Sequence, residues 1–254
     1  MIPTVWRKYR LKNKKRELLR VDGRSWNELR PVTIHRNYTR CAEGSVLIET
    51  GNTRVLCTAS VEGKVPDFLE GSGKGWVTAE YAMLPRATST RTPRGATARS
   101  FEIQRLIGRA LRSVIDLSRL GPRTIRLDCD VIEADGGTRA AAITGSFVAL
   151  YDALTKLINA NEVVSLPLNQ FMAATSVGML QGHPLLDLCY EEDSRAEVDL
   201  NVIMTDDGRL IEVQGTAERP FERPFLDELV DLAQGGIKQL VLWQKKTLML
   251  EKGS

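Results

Sequence analysis

The run Asp135-Gly136-Gly137-Thr138-Arg139 places two glycines, a hydroxyl and a guanidinium between an alternating segment and an apolar periodic one. If a helix starts there, its first amides lack partners and carry partial positive charge. Glycines let an anion approach the backbone, and Thr138 and Arg139 add donors suited to phosphate. The same run also reads as an ordinary tight turn in which Thr138 caps the helix. A second cluster is Glu191-Glu192-Asp193-Ser194-Arg195-Ala196-Glu197-Val198-Asp199. Carboxylates gathered by the fold could hold a hard cation such as Mg2+; left apart, they form a solvated acidic loop. A third cluster is Arg86, Arg91, Arg94 and Arg99, spaced along a stretch rich in Thr, Pro and Gly. Such a loop suits a nucleic-acid backbone or is simply exposed.

Other candidates fall away. Gly71-Ser72-Gly73-Lys74-Gly75 lacks the spacing of a phosphate-binding P-loop, and a strand pattern follows it. His35 and His183 have no evident catalytic partner, and no nucleophile elbow is present. The four cysteines show no C-x-x-C spacing; Cys57 and Cys129 lie in apolar stretches and read as reduced core residues, which fits a cytoplasmic setting.

The elements that must position these groups follow from periodicity. Residues 45–50 and 53–61 flank Gly51-Asn52 as a hairpin, and 75–84 reads as another strand. Residues 85–98 read as a loop. Ile103, Leu106, Ile107, Ala110, Leu111, Val114 and Ile115 recur at helical spacing, which predicts a helix from near Phe101, with Arg99 just before it and Gly121-Pro122 closing the element. Residues 123–133 alternate as a strand, and a helix from the Gly136-Gly137 turn runs to about Ile158. Strands are predicted at 171–180, 185–190, 198–205 and 209–216, with turns at Gln181-Gly182 and Asp206-Asp207-Gly208, and a last helix from about Pro224. Hairpins outnumber strand–helix–strand units, so the class is α+β. Residues 159–169 could join two halves of similar build, about 21–160 and 170–250.

Composition sets outer bounds. The 254 residues suffice for a sizeable core. No stretch of about 18 consecutive apolar residues predicts a membrane span. The net charge of +3 conceals a basic extension: residues 1–20 hold eight Lys/Arg and one acid, leaving 27 basic and 31 acidic residues elsewhere. That extension reads as a solvated tail or as an electrostatic arm for RNA phosphates. It lacks Ser and is Lys-rich, unlike a transit peptide.

Taken together, several segments resemble the ribonuclease PH family of phosphorolytic 3′→5′ exoribonucleases. They are Asp22-Gly23-Arg24, Glu28-Leu29-Arg30-Pro31-Val32, Gly75-Trp76-Val77-Thr78-Ala79-Glu80-Tyr81, Glu102-Ile103-Gln104-Arg105-Leu106-Ile107-Gly108-Arg109, Leu127-Asp128-Cys129-Asp130-Val131 with Asp135-Gly136-Gly137-Thr138-Arg139, Glu192-Asp193-Ser194, Asp199-Leu200-Asn201-Val202 and Glu212-Val213-Gln214-Gly215-Thr216. The resemblance spans about 21–247. It implies a ribosomal protein S5 domain 2-like α+β fold with two similar sheet-and-helix halves. It also implies a homohexameric ring, a trimer of dimers.

The implied reaction is reversible attack by inorganic phosphate on the last phosphodiester of tRNA and other RNA 3′ ends, releasing nucleoside diphosphates in tRNA and rRNA processing. The implied phosphate-binding residues are Arg99, Gly137, Thr138 and Arg139. The implied metal-binding or catalytic aspartates are Asp193 and Asp199, with Mg2+ as cofactor, and Asp193 is compatible with a role in proton transfer as well. Arg86, Arg91 and Arg94 are the expected RNA contacts. Two features depart from the family: the 86–99 loop is several residues short, and the extension 1–20 has no counterpart. The alternative within the same fold is a non-catalytic, RNA-binding ring subunit of an exosome-like assembly, which would be expected to have lost the arginines or aspartates kept here.

Overall fold

The computed structural model describes residues 20–250. Residues 1–19 of the expected basic extension therefore lie outside the described residues. Arg20, counted with that extension, is instead buried against Glu192 at 2.7 Å.

Two sheets form the frame. The first has strands β1 (Val32–Arg36), β2 (Gly44–Thr50), β3 (Thr53–Glu62), β4 (Trp76–Met83) and β5 (Thr124–Glu133), in the order β1-β2-β3-β5-β4. All neighbours are antiparallel except β4 and β5, which are parallel and need a crossover. That crossover carries α1 (Ala98–Arg112) and the short α2 (Leu117–Leu120). The second sheet has β6 (Met172–Leu180), β7 (His183–Leu186), β8 (Val198–Thr205) and β9 (Leu210–Ala217), all antiparallel in the order β7-β6-β8-β9. Helices α3 (Thr138–Asn159) and α5 (Arg223–Thr247) complete the fold, with a one-turn α4 (Tyr190–Asp193) before β8.

Helix α3 packs on β2, β3 and β5 of the first sheet and on β6 of the second. Apolar residues surround it on nearly all sides, as a helix between two sheets requires. It is long and apolar enough by composition to cross a membrane, yet 78% of its apolar window is buried inside the fold, so it is the core helix. Phe147 and Ile143 of α3 share one core with Ile103 of α1 and with Ile48, Leu127, Met172 and Ile203, which come from both sheets. Thr144 stitches the layers: its hydroxyl donates to Ala174 O and accepts from Ala174 N, while its carbonyl accepts from Gln244 Nε2 of α5. A second core lies between β6–β8 and α5, and includes Val32 of β1.

The structure corrects four expectations. Helix α1 starts at Ala98 rather than near Phe101, because Thr97 and Ser100 form a reciprocal capping box, and it ends at Arg112 rather than at Gly121-Pro122. Arg99 therefore sits inside the first helical turn. The strand predicted at 185–190 stops at Leu186, where Asp187 takes φ +54°, and α4 follows. Finally, β1 carried no prediction, since its sequence Val-Thr-Ile-His-Arg is short and half polar. All four cysteines are free thiols, and Cys57 and Cys129 face each other across β3 and β5 in the core.

Candidate active site

Strand β5 ends at Glu133 and delivers the Asp135–Gly137 turn to the start of α3. Gly136 and Gly137 both lie in the left-handed region, at φ +74° and +67°, where a side chain would be strained. A Cβ on Gly136 would also stand 2.6 Å from the Leu188 carbonyl oxygen. Gly137 is the helix N-cap and offers no side-chain acceptor. Thr138 is the first helical residue, so the alternative in which its hydroxyl caps the helix does not hold. That hydroxyl instead accepts a hydrogen bond from the buried Tyr81 phenol at 2.9 Å.

The turn is braced from beneath. Thr53 Oγ1 donates to Gly136 O and accepts from Asp135 N. Arg30 is buried and donates to the Asp135 carbonyl, while its Nε and Nη2 grip both oxygens of Asp187 at 3.0 and 2.7 Å. Burial opposes the Arg30 charge, but Asp187 more than offsets it and raises the pKa. The Asp135 carboxylate accepts from Tyr190 N at 3.2 Å, which ties the turn to α4.

Arg139 points from the first turn of α3 toward β9, where its Nη1 donates to Gln214 Oε1 at 2.6 Å. Gln214 Nε2 in turn donates to Glu102 of α1. Arg99 is exposed one turn before Glu102 on the same helix. Both guanidiniums act on the two aspartates. Asp193 ends α4: burial pushes its carboxyl up, and Arg99, Arg139 and Arg30 pull against that. Asp199 lies on β8, where burial, with Asp193 adding to it, pushes the carboxyl to about 6 against the pull of Arg139 and Arg99. Its Oδ1 is buried with no hydrogen-bond partner among the described residues.

Thus Arg139, Arg99, Asp193 and Asp199, far apart in sequence, come within range of one another's charge, and Thr138 meets the same group through Tyr81. The other acids of the predicted cluster disperse. Glu192 is buried against Arg20; burial would push it up, but the Arg20 hydrogen bonds and charge prevail and lower it. Glu191 is exposed and pairs with Arg195. Arg86, Arg91 and Arg94 are exposed on the loop before α1, and Arg94 lines an open cleft of about 370 Å³ with Tyr81, Gln104, Asp128 and Asp130. His35 makes only a surface pair with Glu49.

Residues 28–156 match the 3′ exoribonuclease family, domain 1, and residues 170–236 match domain 2 of the same family. The chain belongs to the 3′ exoribonuclease family. Ribonuclease PH of Moorella thermoacetica is 58% identical over 237 residues, covering 91% of this chain and 95% of that relative. Among solved structures, rice (Oryza sativa) Rrp46 superposes with a TM-score of 0.76 at 20% identity, covering 90% of this chain and 100% of that one. A chain of the Archaeoglobus fulgidus exosome with RNA bound to the active site gives 0.76 at 21% identity, covering 97% and 98%. At such identities these structures show the shared fold.

Sequence reasoning missed several residues that build the site. Arg30 and Asp187 passed as part of a matching segment and as a strand residue, although an Arg amid Leu-Arg-Pro-Val signals a buried, paired charge. Gln214 and Tyr81 lie in segments that match the family, but nothing in their spacing marks them as site residues. Among the described residues, no group of three His, Cys, Asp or Glu side chains stands ready to hold a metal by itself. A Mg2+ site needs fewer protein ligands, because that ion is commonly bound by one or two carboxylates plus substrate phosphate. Asp193 and Asp199 fit that donor set, and the orphan Asp199 oxygen is the kind of group a cation would satisfy.

Proposed function

We propose that the first-turn amides after Gly137, the Thr138 hydroxyl, Arg139 and Arg99 hold inorganic phosphate, with Asp193 and Asp199 holding Mg2+ beside it. The chain is a phosphorolytic 3′→5′ exoribonuclease and nucleotidyltransferase, acting on tRNA and other RNA 3′ ends. The observation that carries the site assignment is the division of charge. Two arginines and an uncapped helix start face two carboxylates, one of which keeps a buried oxygen without a partner.

The residues divide the work. Arg99 and Arg139 neutralise the phosphate dianion and aim one oxygen at the terminal phosphodiester, a positioning effect. That oxygen bonds to the phosphorus, the bond from phosphorus to the 3′ oxygen breaks, and the shortened RNA leaves with a 3′ hydroxyl whose proton derives from the phosphate. The product is a nucleoside diphosphate, and the reverse step adds a nucleotide. Bound Mg2+ would supply charge neutralisation at the transferring phosphoryl group. No enzyme nucleophile is needed.

Arg86, Arg91 and Arg94 are the proposed contacts for the RNA backbone. The proposed assembly is a homohexameric ring, supported by the likeness to exosome chains and testable by light scattering. A cytoplasmic setting is supported by the four free thiols. The deciding assay supplies purified protein with a 3′-extended tRNA, with and without phosphate. Shortening only with phosphate, with diphosphates released, is expected. Equal trimming without phosphate, yielding monophosphates, overturns the reading. The non-catalytic alternative predicts no turnover in either case, and the retention of both arginines and both aspartates at one locus speaks against it.

A further inference from the structure

We infer that Tyr81 is a positioning residue that turns the Thr138 hydroxyl into a directed donor toward the attacking phosphate. This rests on the phosphate reading given above. Tyr81 lies on β4, the edge strand of the first sheet, and its ring is buried in the main core at 3% exposure. Its hydroxyl reaches the first residue of α3, donating to Thr138 Oγ1 at 2.9 Å. Thr138 is itself buried at 8% exposure, so solvent does not orient its hydroxyl freely.

The direction of that hydrogen bond matters. A phenol is more acidic than an aliphatic alcohol, so in a pair of hydroxyls the phenol donates. A Thr hydroxyl has one proton and two lone pairs. With one lone pair engaged by Tyr81, its proton must find a different acceptor. Among the described residues Thr138 Oγ1 has no other hydrogen-bond partner. Gly137, not Thr138, occupies the cap position, so capping does not consume the hydroxyl either. The helix start therefore presents a hydroxyl proton together with its free amides, a donor set that suits an anion.

Two further observations agree. Arg99 and Arg139 both act on the Tyr81 phenol, which places it at the wall of the same locus. Burial nevertheless keeps that phenol above its ordinary value, so it stays a neutral donor at working pH. Hydrogen bonds in a chain also polarise one another, which strengthens the outer one.

The test is a double-mutant cycle on the full chain, reading KM for phosphate at saturating RNA and KM for RNA at saturating phosphate. Thr138→Val should raise the phosphate KM roughly tenfold or more, the loss of a hydrogen bond to a charged group. Tyr81→Phe, which preserves the ring, should raise it roughly three- to tenfold and leave the RNA KM unchanged. Tyr81→Phe added to Thr138→Val should change the phosphate KM by less than about twofold, since the relay is already gone. Thr138→Ser should retain both the low phosphate KM and its sensitivity to Tyr81→Phe. If Thr138→Val leaves the phosphate KM unaltered, the phosphate site itself is wrongly placed. If Thr138→Val acts but Tyr81→Phe does not, or if the two effects multiply in full, the phosphate site stands and the role given to Tyr81 is overturned.

Discussion

Replacing Asp199 with Asn should make the metal-free protein more stable, although it removes a site residue. Burial, with Asp193 adding to it, pushes the Asp199 carboxyl from 3.8 to about 6. A raised carboxyl pKa means the folded state binds a proton more readily than the unfolded one, so stability is lost as pH rises from 3.8 through 6. Above that window the ionised group costs the fold about 3 kcal/mol, taking about 1.36 kcal/mol for each pH unit of displacement. Asn fits the same space without charge. The assay is denaturant unfolding in the presence of a chelator and without phosphate. At pH 8 Asp199→Asn should gain up to about 3 kcal/mol over wild type, and at pH 5 about half of that. Added Mg2+ should close the gap by stabilising only the wild type. An Asn variant no more stable than wild type at pH 8, or an advantage that does not shrink at pH 5, would refute the claim that this carboxylate is held at a cost.

Three further outcomes are expected. Arg139→Ala should lower kcat/KM for phosphate roughly 10- to 100-fold, since a charge-assisted contact to the dianion is lost, and steady-state kinetics at limiting phosphate checks it. Replacing Arg86, Arg91 and Arg94 together with Ala should raise the RNA KM, leave the phosphate KM unaltered, and flatten the salt dependence of RNA binding by a log–log slope of about 2. Glu192→Gln should destabilise the fold by about 3 kcal/mol or more at pH 7, because it strands buried Arg20 without its partner. The Glu192 carboxyl is held below its ordinary value of 4.5, so its contribution is present above that pH and lost as pH falls below it. The difference between variant and wild type should therefore narrow in acid, as unfolding across pH would show.

Much of this architecture was legible from periodicity. The β2–β3 hairpin, α3 and the β8–β9 hairpin follow from apolar spacing and from Gly51-Asn52 and Asp206-Asp207-Gly208, because turn chemistry and burial act locally. The start of α1 was misplaced because its capping box, Thr97 with Ser100, lacks the usual acidic third residue. Asp187 was read as strand because alternation continues through it, while its left-handed backbone is fixed by Arg30 from 157 residues away. Arg99, Arg139, Asp193 and Asp199 come within range of one another's charge, and Thr138 joins them through Tyr81. Residue spacing alone does not reveal which acids of the 191–199 run reach them; only the resemblance singles out Asp193 and Asp199. Glu192 turns inward to Arg20, whereas Asp193, one residue on, turns to the arginines, and only the one-turn helix α4 decides between them.

The division of the locus between the two halves has a mechanistic consequence. Arg99, Thr138 and Arg139 come from α1 and α3 of the first half, while Asp193 and Asp199 come from α4 and β8 of the second. Neither half supplies both the two arginines and the two aspartates, so the proposed reaction depends on how the halves are registered. Polar ties cross between them at the site, among them Arg30 to Asp187, Asp135 to Tyr190 N, and Arg139 to Gln214. The first two fix the helix start against α4, and the third fixes Arg139 against β9. Loosening the Arg139–Gln214 tie should spare the fold, which rests on the core shared around α3, yet misplace the proposed phosphate against the aspartates. Gln214→Ala tests this most gently, since the Arg139 it frees is only partly buried and keeps Asp193 and Asp199 nearby. It should lower kcat with little change in unfolding midpoint, and an unchanged kcat would show that the sheet-and-helix core alone sets the register.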